Sequence, residues 1–295
     1  MSRRPTAVLR LGSLGEVVQA GAITAQLAPV VFVTRPAWCA LAAQLPGVVE
    51  ARAAGPTLDL SDVDGVVDLQ GSLRSRWLSR GAPGACRRLD RADLARRLRV
   101  WFKAAPPPPL LQRYAEAAGL PPPTGPWMAG SGAGPGVEGW GLVPGAAWAN
   151  KRWPAARWSA LIQRMPGPHT LFGGPEDGPL LAQIAEGSGR SPRVIAERGF
   201  VQTLPALAAC AGVIGGDTGL SHLARALGRP TLVLLGPTTA EDGHWTGHPT
   251  TLSRPLPCRP CGRFGGPVCA MGDHACMQEI TVDEVILAAQ AMVSG

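Results

Sequence analysis

Short β-branched runs alternate along this chain with stretches whose apolar residues recur at helical spacing. Residues 7–11, 30–34 and 66–69 read as buried strands, and residues 16–27, 38–44, 73–80 and 91–103 as helices. After a break the alternation restarts. Strands are expected at 141–143, 170–172, 213–214 and 231–235, and helices at 155–165, 180–186, 204–210, 220–227 and 282–292. Strands separated by helices predict parallel-sheet α/β units. No solenoid repeat is present.

The break is rich in helix and strand breakers. Residues 106–109 are four prolines, and residues 121–139 are dominated by Pro and Gly. A chain of 295 residues suits two cores rather than one. The expected division is a first Rossmann-like domain over 1–120, a linker over 121–139, a second Rossmann-like domain over 140–280, and a C-terminal helix over 281–295 that crosses back to the first domain. Ligands of such sheets lie outside the carboxyl ends of the strands, so the loops after each strand carry the chemistry.

Composition narrows the partners. The 28 basic residues include only two lysines, Lys103 and Lys151, so a single arginine says little and a lysine says more. A net charge of +7 favours acidic partners: nucleotides, phosphorylated glycolipids or an anionic membrane surface. No apolar run reaches the 18 or so residues that a spanning helix needs. The opening residues lack the pattern of a secretory signal, so a cytoplasmic protein is expected, with peripheral contact at the inner face of the membrane. Nucleic acid is not an expected partner.

Two segments carry candidate chemistry. The first, Gly215-Gly-Asp-Thr-Gly-Leu-Ser-His222, takes an apolar strand into a helix start. Backbone N–H groups at such a start suit a diphosphate, and Asp217 either caps the helix or orients a neighbouring donor. The second, Pro144-Gly-Ala followed by Asn150-Lys-Arg-Trp-Pro154, places Lys151 ahead of a helix. A compact cation there can neutralise charge on a departing diphosphate, against the alternative of a solvated basic loop. No G-x-G-x-x-G follows the first strand, where Gly12-Ser-Leu-Gly15 stands, which argues against a dinucleotide oxidoreductase.

These segments, with Phe172-Gly-Gly-Pro-Glu176, the opening Leu9-Arg-Leu-Gly-Ser-Leu-Gly-Glu16 and Val67-Asp-Leu-Gln-Gly-Ser-Leu-Arg74, resemble family 9 glycosyltransferases, the ADP-heptose:lipopolysaccharide heptosyltransferases. The resemblance implies a GT-B architecture, with two Rossmann-like domains facing each other across a cleft. It implies an inverting transfer of heptose from an ADP-sugar to an anionic lipopolysaccharide inner-core glycolipid, with no cofactor or metal required for catalysis. The residues it implies are Glu16 and Lys151 for catalysis, Asp217, Thr218, Gly219, Leu220, His222 and Glu176 for the donor, and Ser13 and Arg74 for the acceptor.

Several of these positions keep a second reading. The family pattern has Asp where this chain has Glu16, so Glu16 is either the base or a first-turn acid that complements the helix dipole. Glu176 and Asp177 compete as the acid for ribose hydroxyls. His222 fits packing as well as donor contact. A family member that binds nucleotide or glycolipid without transfer is the competing function. Cys258-x2-Cys261-x7-Cys269-x6-Cys276 is a candidate four-thiolate structural zinc site, with His274 as a substitute ligand; free thiols or a redox pair are the alternatives.

Overall fold

The computed structural model describes residues 4–128, 138–197, 200, 202–240 and 251–294. Two compact units divide the chain: Met1–Ala92 with Pro108–Ala129, and Asp93–Pro107 with Gly130–Gly295.

In the first unit β1 (Thr6–Leu9), β2 (Val30–Thr34), β3 (Val48–Ala53), β4 (Gly65–Asp68) and β5 (Ala85–Arg88) form a parallel sheet in the order β3-β2-β1-β4-β5. Its helices are α1 (Leu14–Leu27), α2 (Cys39–Ala42) and α3 (Leu73–Leu78); α4 (Asp93–Phe102) belongs to the second unit, and α5 (Leu110–Ala118) returns to the first. Helix α1 is buried along most of its length, with Val17, Val18 and Ile23 fully covered. Ala7, Leu9, Val31, Val33 and Val66 form a core on the sheet. Residues 121–128 of the expected linker have no regular structure, and Trp127 donates its indole N–H to the Val18 carbonyl at 2.9 Å. Most of the remaining linker lies outside the described residues.

The second unit contains β6 (Glu138–Val143), β7 (His169–Gly173), β8 (Arg193–Ala196), β9 (Cys210–Gly216), β10 (Thr231–Leu235) and β11 (Thr251–Ser253), parallel in the order β11-β10-β9-β6-β7-β8. Its further helices are α6 (Ala155–Arg164), α7 (Gly178–Gly187), α8 (Thr203–Ala209), α9 (Gly219–Ala226), α10 (Ala275–Gln278) and α11 (Val282–Ser294). Trp158 sits at the centre of this core, edge-on to Trp153 with ring centroids 5.1 Å apart. The Trp153 indole donates to the Ile280 carbonyl at 3.0 Å, which ties the start of α6 to the start of α11. Val285 and Ala289 bury α11, the segment expected to cross back, in this unit's own core.

The four strands that local pattern does not predict, β3, β5, β8 and β11, are the four sheet edges. Their sequences, VVEARA, ACRR, RVIA and TLS, mix exposed polar positions into runs too short to read as buried strands.

In both sheets the first strand has neighbours leading away in opposite directions. The loops after β1 and β4, and those after β6 and β9, therefore flank a topological switch point in their own unit, where open α/β sheets bind ligands.

Candidate active-site loops

In the first unit the loop after β1 folds back on itself around Glu16. Ser13 caps α1, and Glu16 accepts the Ser13 backbone N–H at 3.0 Å, the reciprocal half of a capping box. The other carboxylate oxygen pairs with Arg10, whose guanidinium also donates to the Leu69 carbonyl. Burial disfavours the Arg10 charge, but Tyr114, Glu16 and Asp68 more than offset it. Gly12 makes this compact loop feasible, because a β-carbon there would lie 1.8 Å from a Glu16 oxygen. Both readings of Glu16 thus share one geometry: it caps α1 and stands at the carboxyl end of the central strand.

The neighbouring loop after β4 is organised by Asp68, which is fully buried. Its carboxylate accepts the backbone N–H groups of Gln70 and Gly71, the Ser75 hydroxyl at 2.8 Å and Arg88 Nε at 3.0 Å. Gln70 in turn accepts the Leu11 N–H at 3.0 Å, locking the two loops together. Asp68 is a scaffold. Arg74 stands on the first turn of α3, exposed to solvent.

In the second unit the loops after β6, β9 and β10 converge on one carboxylate. Lys151 Nζ lies 2.6 Å from Asp217 Oδ2, and the Thr238 hydroxyl donates to the same oxygen at 3.2 Å. His222 Nε2 approaches Asp217 Oδ1 at 3.4 Å. The side chains of Lys151, Asp217 and His222 are 12%, 8% and 5% exposed, so the ion pair is largely desolvated. Thr218 stands at the N-cap of α9, and Gly219 and Leu220 begin its first turn, while Lys151 Nζ also reaches the Asp217 carbonyl at 3.4 Å. Gly215 lets the turn close, since a β-carbon would meet the Ser221 hydroxyl at 2.5 Å.

Lys151 is held from behind through its neighbour Asn150. Asn150 accepts the Gly266 N–H through its side chain at 2.8 Å, and its own carbonyl meets His274 Nε2 at 2.8 Å. The cysteine-rich segment therefore buttresses the lysine loop. Thr238 reaches Asp217 and His274 reaches the lysine loop from distant segments, while Arg10 pairs with Glu16 within the first unit; in an arginine-rich chain Arg10 carried no signal of its own.

Of the two acids after β7, Asp177 accepts the Gly174 N–H at 3.0 Å and packs against Gly145 and Gly173. Glu176 is exposed. Three basic residues between 87 and 103 are tied down by carbonyls or by Asp68. Arg87 meets the Ala118 carbonyl at the end of α5, Arg88 holds Asp68, and Lys103 donates to the Val100, Cys258 and Pro260 carbonyls.

The four clustered cysteines are free thiols that sense one another. Burial, then Cys258, pushes the Cys261 thiol up to about 11. Among the described residues, no three His, Cys, Asp or Glu side chains are placed to hold a metal ion. The described geometry does not fit the expected zinc site.

His222 and His169 give stability a pH signature. Burial lowers both; contact with Asp217 partly restores His222, and Arg190 lowers His169 further. The unfolded chain takes up these protons near pH 6.5, where the folded chain resists them. Stability should therefore fall as pH drops below 6.5, by up to about 1.4 kcal/mol per pH unit per histidine. Urea unfolding at pH 7.5 and 5.5 checks this, and His222→Gln should flatten the slope.

The chain resembles known proteins along its whole length. Residues 137–264 match glycosyltransferase family 9 (heptosyltransferase). Lipopolysaccharide heptosyltransferase 1 of Pseudomonas aeruginosa is 32% identical over 227 residues, 68% of this chain and 62% of that protein's length. Among solved structures, E. coli ADP-heptose lps heptosyltransferase II superposes with a TM-score of 0.73 at 20% identity, covering 98% of both chains. E. coli heptosyltransferase WaaC with ADP superposes at 0.70 and 19%, covering 98% of this chain and 99% of that one. The two parallel-sheet units are those of the GT-B fold. With the motifs standing at the switch points of two such sheets, and relatives that share both sequence and fold, this chain belongs to glycosyltransferase family 9.

Proposed function

We propose that this protein is an inverting glycosyltransferase that moves heptose from ADP-heptose to an anionic inner-core glycolipid of lipopolysaccharide. The observation that carries the reading is the desolvated Lys151–Asp217 pair beside the first turn of α9. The P. aeruginosa relative, named for heptose transfer to lipopolysaccharide, and the E. coli structure with ADP support the substrate class.

In this mechanism the diphosphate lies against the α9 N-terminus, where the N–H groups of Gly219 and Leu220 and the dipole favour anions. Thr218 borders that turn, and exposed Glu176 takes the ribose hydroxyls. Lys151 exchanges Asp217 for the leaving diphosphate as charge develops there, and Asp217 orients it while His222 packs neutral behind. Ser13 and Arg74 hold the acceptor. Glu16 takes the proton of the attacking hydroxyl as the anomeric carbon inverts, the role of the base in inverting glycosidases. The cations replace a Lewis acid, so no metal is needed for transfer. The protein works in the cytoplasm, in peripheral contact with the anionic membrane that holds its acceptor. No observation favours a non-catalytic binder.

A thermal-shift titration with ADP, UDP, GDP and CMP tests the donor. ADP at a hundredfold excess over Kd should stabilise the second unit by roughly 2.7 kcal/mol, and the others much less. Labelled-heptose transfer should then persist in EDTA. Selective stabilisation by UDP would overturn the donor assignment, and loss of transfer in EDTA the metal independence.

A further inference from the structure

Helix α4 presents a stripe of apolar side chains that the core does not use. Leu94, Leu98, Trp101 and Phe102 fall at i, i+4, i+7 and i+8, one face of the helix. They are 71%, 38%, 70% and 72% exposed. A single exposed leucine needs no explanation, but four such residues on one stripe, two of them aromatic, form a patch. Contacts within the second unit hold the helix with this stripe outward. Asp93 pairs with Arg263, Arg96 lies 4.9 Å over the Phe264 ring, and Arg99 reaches the Ala104 carbonyl and the Thr239 hydroxyl.

On the side of α4 away from the stripe, a recess is lined by Arg96, Arg99, Val100, Pro107, Gly262 and Arg263. Three guanidinium groups share it, and Asp93 is the one acid on α4. Arg263 Nε is buried with no hydrogen-bond partner among the described residues. Arg97, exposed on the same helix, adds a further cation.

We propose that α4 is a membrane-docking helix. Leu94, Leu98, Trp101 and Phe102 enter the headgroup–acyl boundary of a bilayer, and Arg97, exposed at the flank of the stripe, meets lipid phosphate. Aromatic and aliphatic residues on one face with arginines alongside are what an interfacial helix uses, lying in the membrane plane. No described helix is long and apolar enough to cross a membrane. A second copy of this chain fits poorly, because a two-fold contact through α4 would bring the same arginines face to face. The inference deepens the membrane part of the function proposed above and rests on it, but its test is separate from transfer.

The experiment is cosedimentation of the full chain with vesicles of phosphatidylethanolamine and phosphatidylglycerol, and with vesicles of phosphatidylcholine alone. The wild type should bind the anionic vesicles and lose them as salt rises. Leu98→Ser with Trp101→Ser should lower the partition coefficient on the order of tenfold or more at unchanged Tm. Arg96→Gln with Arg97→Gln should weaken binding and flatten its salt dependence. Absence of wild-type binding would overturn the proposal, and transfer to a deacylated, soluble acceptor would still report separately on the catalytic reading. Equal binding by wild type and the serine variant would overturn the assignment to α4. Equal binding to both vesicle types would overturn the contact between the α4 arginines and lipid phosphate. A wild-type dimer lost in the serine variant, without vesicle binding, would overturn it in favour of a self-contact.

Discussion

Lys151→Ala is expected to lower kcat for heptose transfer by about 10²–10³-fold while leaving a folded, nucleotide-binding protein. The magnitude is that of removing one preorganised donor to developing charge in a water-poor site. The same substitution strands Asp217, 8% exposed, without its cation. Uncompensated buried charge costs about 3–5 kcal/mol where nothing else is left to pair with it. Thr238 and His222 remain against Asp217, so the loss should sit at or below that range, lowering Tm by at most roughly 6–12 °C. The two effects separate in a double variant. Asp217→Asn in the Lys151→Ala background removes the stranded charge and should recover most of the Tm, but none of the turnover. Steady-state kinetics beside thermal melts checks both; recovered turnover would make Lys151 a structural counter-ion and nothing more.

Glu16→Gln should lower kcat by about 10²–10⁴-fold, the usual contribution of a positioned general base. The choice of glutamine is deliberate. Glutamine at this position still completes a capping box with the Ser13 N–H, so α1 keeps its start. What goes is the proton acceptor and the charge opposite Arg10. A structural role for Glu16 would therefore show as a lower Tm with near-normal turnover. A base shows the reverse, together with loss of the limb of the pH–rate profile that reports its ionisation. Gly12→Ala is the companion variant: its methyl would occupy the space of a Glu16 oxygen, so it should depress turnover by displacing the carboxylate without removing it.

The interior strands were legible because both of their faces are buried. Residues 30–34 and 231–235 are continuous runs of Val, Leu, Phe and Thr, and each became a fully buried strand. The four edge strands were not legible, since β3, β5 and β8 carry arginine that breaks the apolar run and β11 is only three residues long. Helix α4 was predicted in place and length, yet its unit was not. That depends on Asp93 meeting Arg263 and Lys103 meeting the Pro260 carbonyl, partners 170 and 157 residues away.

By itself, the sequence determined the two parallel α/β units, and it set Lys151 apart from an arginine background. Periodicity reports the burial of one segment on itself, and motif order survives in one dimension. Tertiary structure decided the company each residue keeps. Strand order put β6 beside β9, and so Lys151 beside Asp217, 66 residues further on. It drew Arg10 to Glu16, turned Asp68 and Asp177 inward as scaffold, and set Asn150 and His274 behind the lysine. Counter-charges and hydrogen-bond partners act over a few ångströms in space, and no local pattern records which distant segment will supply them.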